Sequence, residues 1–249
     1  MPLSARGALG GALKVTLVAG LLAGLLASVF HQVLTEPVID RAIAAEEARM
    51  AAQPGHPHGE APVVSRRGQK IGLIAGLLLY GLTWGLLLGL GLYMTRDSAP
   101  SGWSLGRRGL LVVGLGGWSV ALFPFLKYPA NPPGVGEATT IGYRQTLYVG
   151  FIVLAVIGIG LAAAIRQVTR GSTRGPGGWI APVAFYAVWA LGMYALMPPN
   201  PDPVEVSEAI MRPFRAMSLT GLVVFWGGFA LALAYLGRER APGSVRPAR

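Results

Sequence analysis

Metal coordination is the one kind of chemistry for which this chain carries a plausible set of side chains. It has three histidines, eleven carboxylates and no cysteine. His31, Glu36 and Asp40 follow one another along a single stretch, and His56 and His58 form a His-Pro-His further on. Asn131 and Glu137 add an amide and a carboxylate within a proline-rich segment. Imidazole and oxygen ligands together suit cobalt, nickel, zinc or iron. The candidate metal residues are therefore His31, Glu36, Asp40, His56, His58, Asn131 and Glu137. Each also has a plainer role open to it. His31 can cap a helix at an interface, the His-Pro-His can be incidental to a loop, and Asn131 and Glu137 can order a turn. Without cysteine there is no disulfide, iron–sulfur cluster or thiolate zinc site. Phosphate-binding loops, dinucleotide fingerprints, nucleophile elbows and HExxH are missing too. The expectation is a protein that is not an enzyme and has no organic cofactor.

The elements that must position these groups are apolar spans. Hydrophobic residues make up 53% of the 249 and charged residues only 13%, about half the charge of an ordinary soluble domain. Six runs lack Asp, Glu, Lys, Arg and His: Val15–Phe30, Ile71–Met94, Gly109–Leu126, Gln145–Ile165, Gly178–Met197 and Ala216–Leu236. Crossing a hydrocarbon core takes about 20 helical residues. The first run is short as strictly counted, but Gly10–Leu34 extends it, and it reads as a retained anchor rather than a cleaved signal peptide. The expected fold is all-α: a polytopic helical bundle of six transmembrane helices forming a single membrane domain over residues 1–249.

The basic residues orient it. With a cytoplasmic N-terminus, 12 of the 21 Lys and Arg residues fall in the inside segments beside two acids, and nine fall outside beside nine acids. The inside loops are much the shorter, so their basic density is higher and both termini are expected inside. The net charge of +10 then belongs to membrane topology rather than to nucleic acid. No ionisable residue is centred in a span, although proton pumps and ion-coupled carriers usually place one there.

The longest outer loop, residues 35–70, opens with Glu36-Pro37, and proline suits the first turn of a new helix. Ile39, Ile43 and Met50 share one face of that helix, which predicts a short amphipathic segment on the leaflet or on a partner. The loop from Lys127 to Arg144 is rich in Pro and Gly and reads as fixed turns, and Pro198–Pro203 as similarly stiff. A helix is expected to begin near Val204. Arg212 and Arg215 are expected to pair with Glu205, Glu208 or lipid phosphate. Gly72-xxx-Gly76 and Gly81-xxx-Gly85-xxx-Gly89 in the second span form a stripe suited to close helix packing.

The segment Phe123-Pro-Phe-Leu-Lys-Tyr-Pro-Ala-Asn-Pro-Pro-Gly-Val-Gly-Glu137, continued by Thr140-Ile-Gly-Tyr-Arg-Gln-Thr-Leu-Tyr148, resembles the CbtA family of cobalt transporter subunits of bacterial membranes. Phe30-His-Gln-Val-Leu-Thr-Glu-Pro-Val-Ile39 is similar to that family's first-helix end, and Pro213-Phe-Arg-Ala-Met-Ser-Leu219 to the start of its last helix. Lys-Tyr-Pro-Ala-Asn-Pro-Pro is the specific part. The resemblance implies a multi-pass protein of the bacterial cytoplasmic membrane with cobalt ion as substrate. It also implies a small single-span partner subunit bearing a histidine-rich end. Two functions follow: a metal-uptake subunit that captures the ion at outer loops, or a non-transporting accessory subunit or scaffold of a larger membrane complex.

Overall fold

Long apolar runs leave the backbone no partner in lipid except itself, so the spans fold as helices. A computed structural model describes residues 2–51, 64–96, 103–133, 135–169, 176–202 and 206–238. Within them every regular element is helical: α1 (Pro2–Phe30), α2 (Glu36–Ala51), α3 (Arg66–Met94), α4 (Leu105–Gly117), α5 (Phe123–Lys127), α6 (Ile141–Thr169), α7 (Ile180–Leu196) and α8 (Glu208–Leu236). Six continuous stretches are long and apolar enough to cross a membrane: Gly7–Ala48, Arg66–Met94, Leu105–Lys127, Ala138–Thr169, Gly177–Leu196 and Glu208–Leu236. Large apolar side chains stand exposed along them, including Leu22, Leu87, Val188, Leu191 and Leu231. Water would penalise so large an apolar surface, whereas lipid accepts it.

Two expectations about helix boundaries change. Pro37 does not begin a separate helix. α1 runs into α2 through a π-helical turn at His31–Thr35, closed by the Glu36 N–H bonding the His31 carbonyl. A second π-turn, Trp118–Leu122, joins α4 to α5 and is closed from Phe123 to Trp118. Each turn starts six residues before a proline, Pro37 or Pro124. Proline has no N–H to give and its ring crowds the carbonyl four residues back; a widened turn absorbs that conflict and lets the helix continue. The α2 face that is buried carries Val38 and Ala42, with Ile39 and Ile43 half-buried. The Met50 side chain lies outside the described residues. At the far end, α8 starts at Glu208 rather than near Val204, and its first-turn carboxylate suits a helix N-terminus. α6 starts at Ile141, after a 3₁₀ turn at Ala138–Thr140.

The chain divides into two compact units, Met1–Glu36 with His58–Gly114 and Thr220–Arg249, and Pro37–Pro57 with Leu115–Leu219. In the first, α1 and α3 meet through small residues. Ala12, Thr16, Ala19, Ala23 and Ala27 are buried on α1. A methyl group on Gly20 would overlap the Gly81 carbonyl, and one on Gly85 would overlap the Thr16 backbone. Gly81, Gly85 and Gly89 are thus the used part of the glycine stripe; Gly72 and Gly76 have nothing near them. Thr16 and Ser28 return their hydroxyls to Ala12 and Gly24 carbonyls on their own helix. Toward the end of the chain, Phe225 and Trp226 of α8 pack on Tyr80 and Trp84 of α3.

The second unit is built on large rings. Phe123, Phe151, Ala155 and Met193 form its buried centre, flanked by Trp118, Tyr128 and Trp189. Trp118 stacks on Phe123 at 5.3 Å and Phe123 meets Phe151 at 4.8 Å. The Trp118 indole donates to the Tyr186 hydroxyl at 2.8 Å, and Trp189 donates to the Leu154 carbonyl at 3.0 Å. Buried indoles need such acceptors.

Candidate functional site

In the second unit the prolines and glycines after α5 keep the chain from continuing as helix, and the resulting loop is tied down at several points. Lys127 donates to the Tyr194 carbonyl and the Tyr128 hydroxyl to the Pro198 carbonyl, both at 2.7 Å. Burial raises the Tyr128 phenol above its ordinary pKa, with Tyr143 adding to it, so the hydroxyl stays protonated and able to donate.

The anchor of the loop is Asp202, whose side chain is 2% exposed. Its carboxylate accepts from the Thr140 hydroxyl at 2.7 Å and the Glu137 N–H at 3.1 Å, and it pairs with Arg144 Nε at 3.0 Å. Arg144 also donates to the Glu137 carbonyl. Gly136, at φ 104°, lies beneath this pair, where a Cβ would strike both Arg144 and Asp202. Arg215 donates to Asn131 Oδ1 at 3.0 Å and to the Ala130 carbonyl at 3.4 Å. Between these ties lies a cleft of about 390 Å³, lined by Tyr128, Asn131, Arg144, Gln145, Tyr148 and Asn200 among others.

The first unit has its own polar cluster where α1 gives way to its π-turn. His31 Nδ1 and the Thr35 hydroxyl are 2.9 Å apart, and the imidazole ring lies on Gly221. Gln32 donates to the Lys70 carbonyl at 2.7 Å. Glu36, with its side chain only 5% exposed, is bonded by Arg66 and has Lys70 Nζ at 3.8 Å. A buried carboxylate faced by two cations is electrically satisfied.

The sequence-derived candidates are thereby dispersed. His31 and Glu36 share the first unit's cluster. Asp40 is exposed on α2. Asn131 and Glu137 belong to the clamped loop, Asn131 through its side chain and Glu137 through its backbone. His56 and His58 lie outside the described residues. Among the described residues no three His, Asp or Glu side chains are grouped to hold a metal ion. Arg212 pairs with Glu208 one helical turn away, as anticipated, at 2.5 Å; Arg215 turns to Asn131 instead. Sequence reasoning passed over Asp202, Arg144 and Gln145. A usable signal was present in Asp202, the lone carboxylate within Pro198–Pro203.

Most of the clamped loop and of the cleft's lining belongs to the Lys127–Tyr148 segment that carries the family likeness, with Asn200, Asp202 and Arg215 supplied from outside it. A family model for the probable cobalt transporter subunit CbtA matches residues 11–238. The chain belongs to this family. The match takes in five spans whole, the first from its fifth residue onward, and every residue of the cleft, so this CbtA-family chain is a multi-pass membrane protein of a transporter-subunit family. No curated protein and no solved structure matches it.

Proposed function

We propose that this chain is the membrane-embedded subunit of a divalent-metal uptake system of the bacterial cytoplasmic membrane, with cobalt ion as substrate and both termini in the cytoplasm. The observation that carries this reading is the family match across residues 11–238. The organised loop after α5 adds a structured surface for capture. Capture takes place at the outward rim. There His56 and His58 offer imidazole from the long loop, His31, Glu36 and Asp40 lie at its start, and Asn131 and Glu137 lie in the separate loop after α5. A small single-span partner with a histidine-rich end hands the ion on. Purified chain in proteoliposomes, with and without that co-expressed partner, is expected to accumulate radiolabelled cobalt; no accumulation in either case would overturn the proposal.

The uncharged centres of the six spans favour one other reading, a non-transporting accessory subunit or scaffold of a larger membrane complex. Gentle extraction followed by mass spectrometry tests it. Consistent recovery of the chain by itself would remove this alternative.

A further inference from the structure

Two asparagines in the cleft of the second unit have a one-sided hydrogen-bonding character. A carboxamide offers one accepting oxygen and one donating N–H2 group. Asn131 gives its oxygen to Arg215 at 3.0 Å, and Asn200 gives its oxygen to the Asp202 N–H at 3.1 Å. A guanidinium and a backbone N–H can only donate, so both amides are fixed in orientation. What they keep wholly free for a ligand is N–H2, since each oxygen already accepts one bond. Among the described residues neither N–H2 group has a protein acceptor. Gln145 and Tyr148 line the same cleft, with no hydrogen bond from their polar ends among the described residues, and Arg144 stands at its wall. The Asp202 carboxylate is consumed by Arg144, Thr140 and the Glu137 N–H, and the Glu137 side chain is not among those lining the cleft. Arg144 thus lines the cleft already paired with the buried carboxylate, and Arg215 reaches Asn131 without lining the cleft itself.

Such a site is wrong for a bare divalent cation, which needs several oxygen or nitrogen acceptors to replace its water. It is right for an oxyanion, and its size falls in the range of small-organic-molecule sites. We infer that the Asn131–Asn200 cleft binds the carboxylate oxygens of a small organic chelate carrying the metal, so that the chain recognises the complex by its ligand rather than by its ion. This rests on the transport reading for the identity of the cargo; the preference for an oxyanion rests on the amides alone. Asn131 then acts through its N–H2 group, with its oxygen reserved for Arg215.

The test uses the full chain in phosphatidylcholine nanodiscs and titration calorimetry with cobalt(II) citrate, citrate, inorganic phosphate and cobalt(II) chloride. The cobalt citrate complex is expected to bind, and the Asn131→Asp/Asn200→Asp double variant to bind it at least tenfold more weakly. Each aspartate keeps the oxygen that Arg215 or the Asp202 N–H requires, so the loop retains its ties while two donors become anions. Gln145→Glu, at an exposed position with no hydrogen bond among the described residues, should lower affinity by a smaller factor. Equal affinity in wild type and double variant overturns the inference. So does loss of citrate-complex binding when the discs contain phosphatidylglycerol, because a lipid phosphate then owns the cleft. Proteoliposome uptake separates the two levels. Equal uptake from chloride and citrate, unaffected by the double variant, overturns the inference and leaves the transport reading intact. No uptake from either form, with binding still sensitive to the variant, overturns transport and leaves the oxyanion site standing.

Discussion

The two units reach close packing by opposite means. In the first, α1 and α3 approach until backbone touches backbone, and the contact is made of Gly20, Gly24, Gly81, Gly85 and buried alanines. In the second, rings fill the space: Trp118, Phe123, Tyr128 and Phe151 form one stack of contacts. Small-residue contacts leave no room and no cavity, so that interface can hold helices together but can hardly host a ligand. Large rings and a polar loop leave gaps between them, and the cleft is one such gap. The α1–α3 contact is therefore closed to ligands, and the groove that the first unit does carry, about 490 Å³ between α1 and α8, is lined by apolar side chains such as Leu26, Val29 and Val223.

The largest expected effect breaks the glycine contact. Gly81→Leu would drive a side chain into the Gly20 carbonyl, a rigid backbone atom that cannot give way. Loss of folded, monodisperse protein on size exclusion in detergent is the expected outcome. A middle-sized effect comes from the other unit. Asp202→Asn removes the charge facing Arg144 and is expected to cost about 3 kcal/mol, the usual penalty for breaking a buried pair at one partner. It would be read as a lower midpoint in thermal unfolding, with the glycine-packed unit untouched. The smallest effect has the opposite sign. Gly76→Ala fills open space on the same helix as Gly81 and should raise helix stability by about 0.5–1 kcal/mol. Should Gly76→Ala prove as damaging as Gly81→Leu, the division of the stripe into used and unused halves would be wrong.

Much of the architecture was legible in the sequence, because a bilayer demands about 20 apolar residues per crossing and the runs are uninterrupted. The stripe was half legible. Gly72 and Gly76 have the same spacing as Gly81 and Gly85, and only the position of α1 decides which of them matter. The π-turns were not legible, since a proline after an apolar run reads equally as a new helix or as a strained continuation. Asp202 was missed because a carboxylate among prolines looks solvated, and its partners Thr140 and Glu137 lie 62 and 65 residues away. The orientation of the Asn131 amide depends on Arg215, 84 residues distant. Spacing rules reach along one helix; they say nothing about a donor arriving from another.

The widened turns at His31–Thr35 and Trp118–Leu122 have a consequence for how these spans tolerate change. Each accommodates one amino acid more than a regular helix of the same rise. Excising a single residue there, Val33 or Val120, would let the turn close as regular helix, because five residues at the wider pitch carry the chain about as far round and along as four at the ordinary one. Everything beyond would keep its facing, whereas the same excision elsewhere in a span would swivel the remainder by about 100°. These two places are where the chain can give up a residue and keep its azimuth.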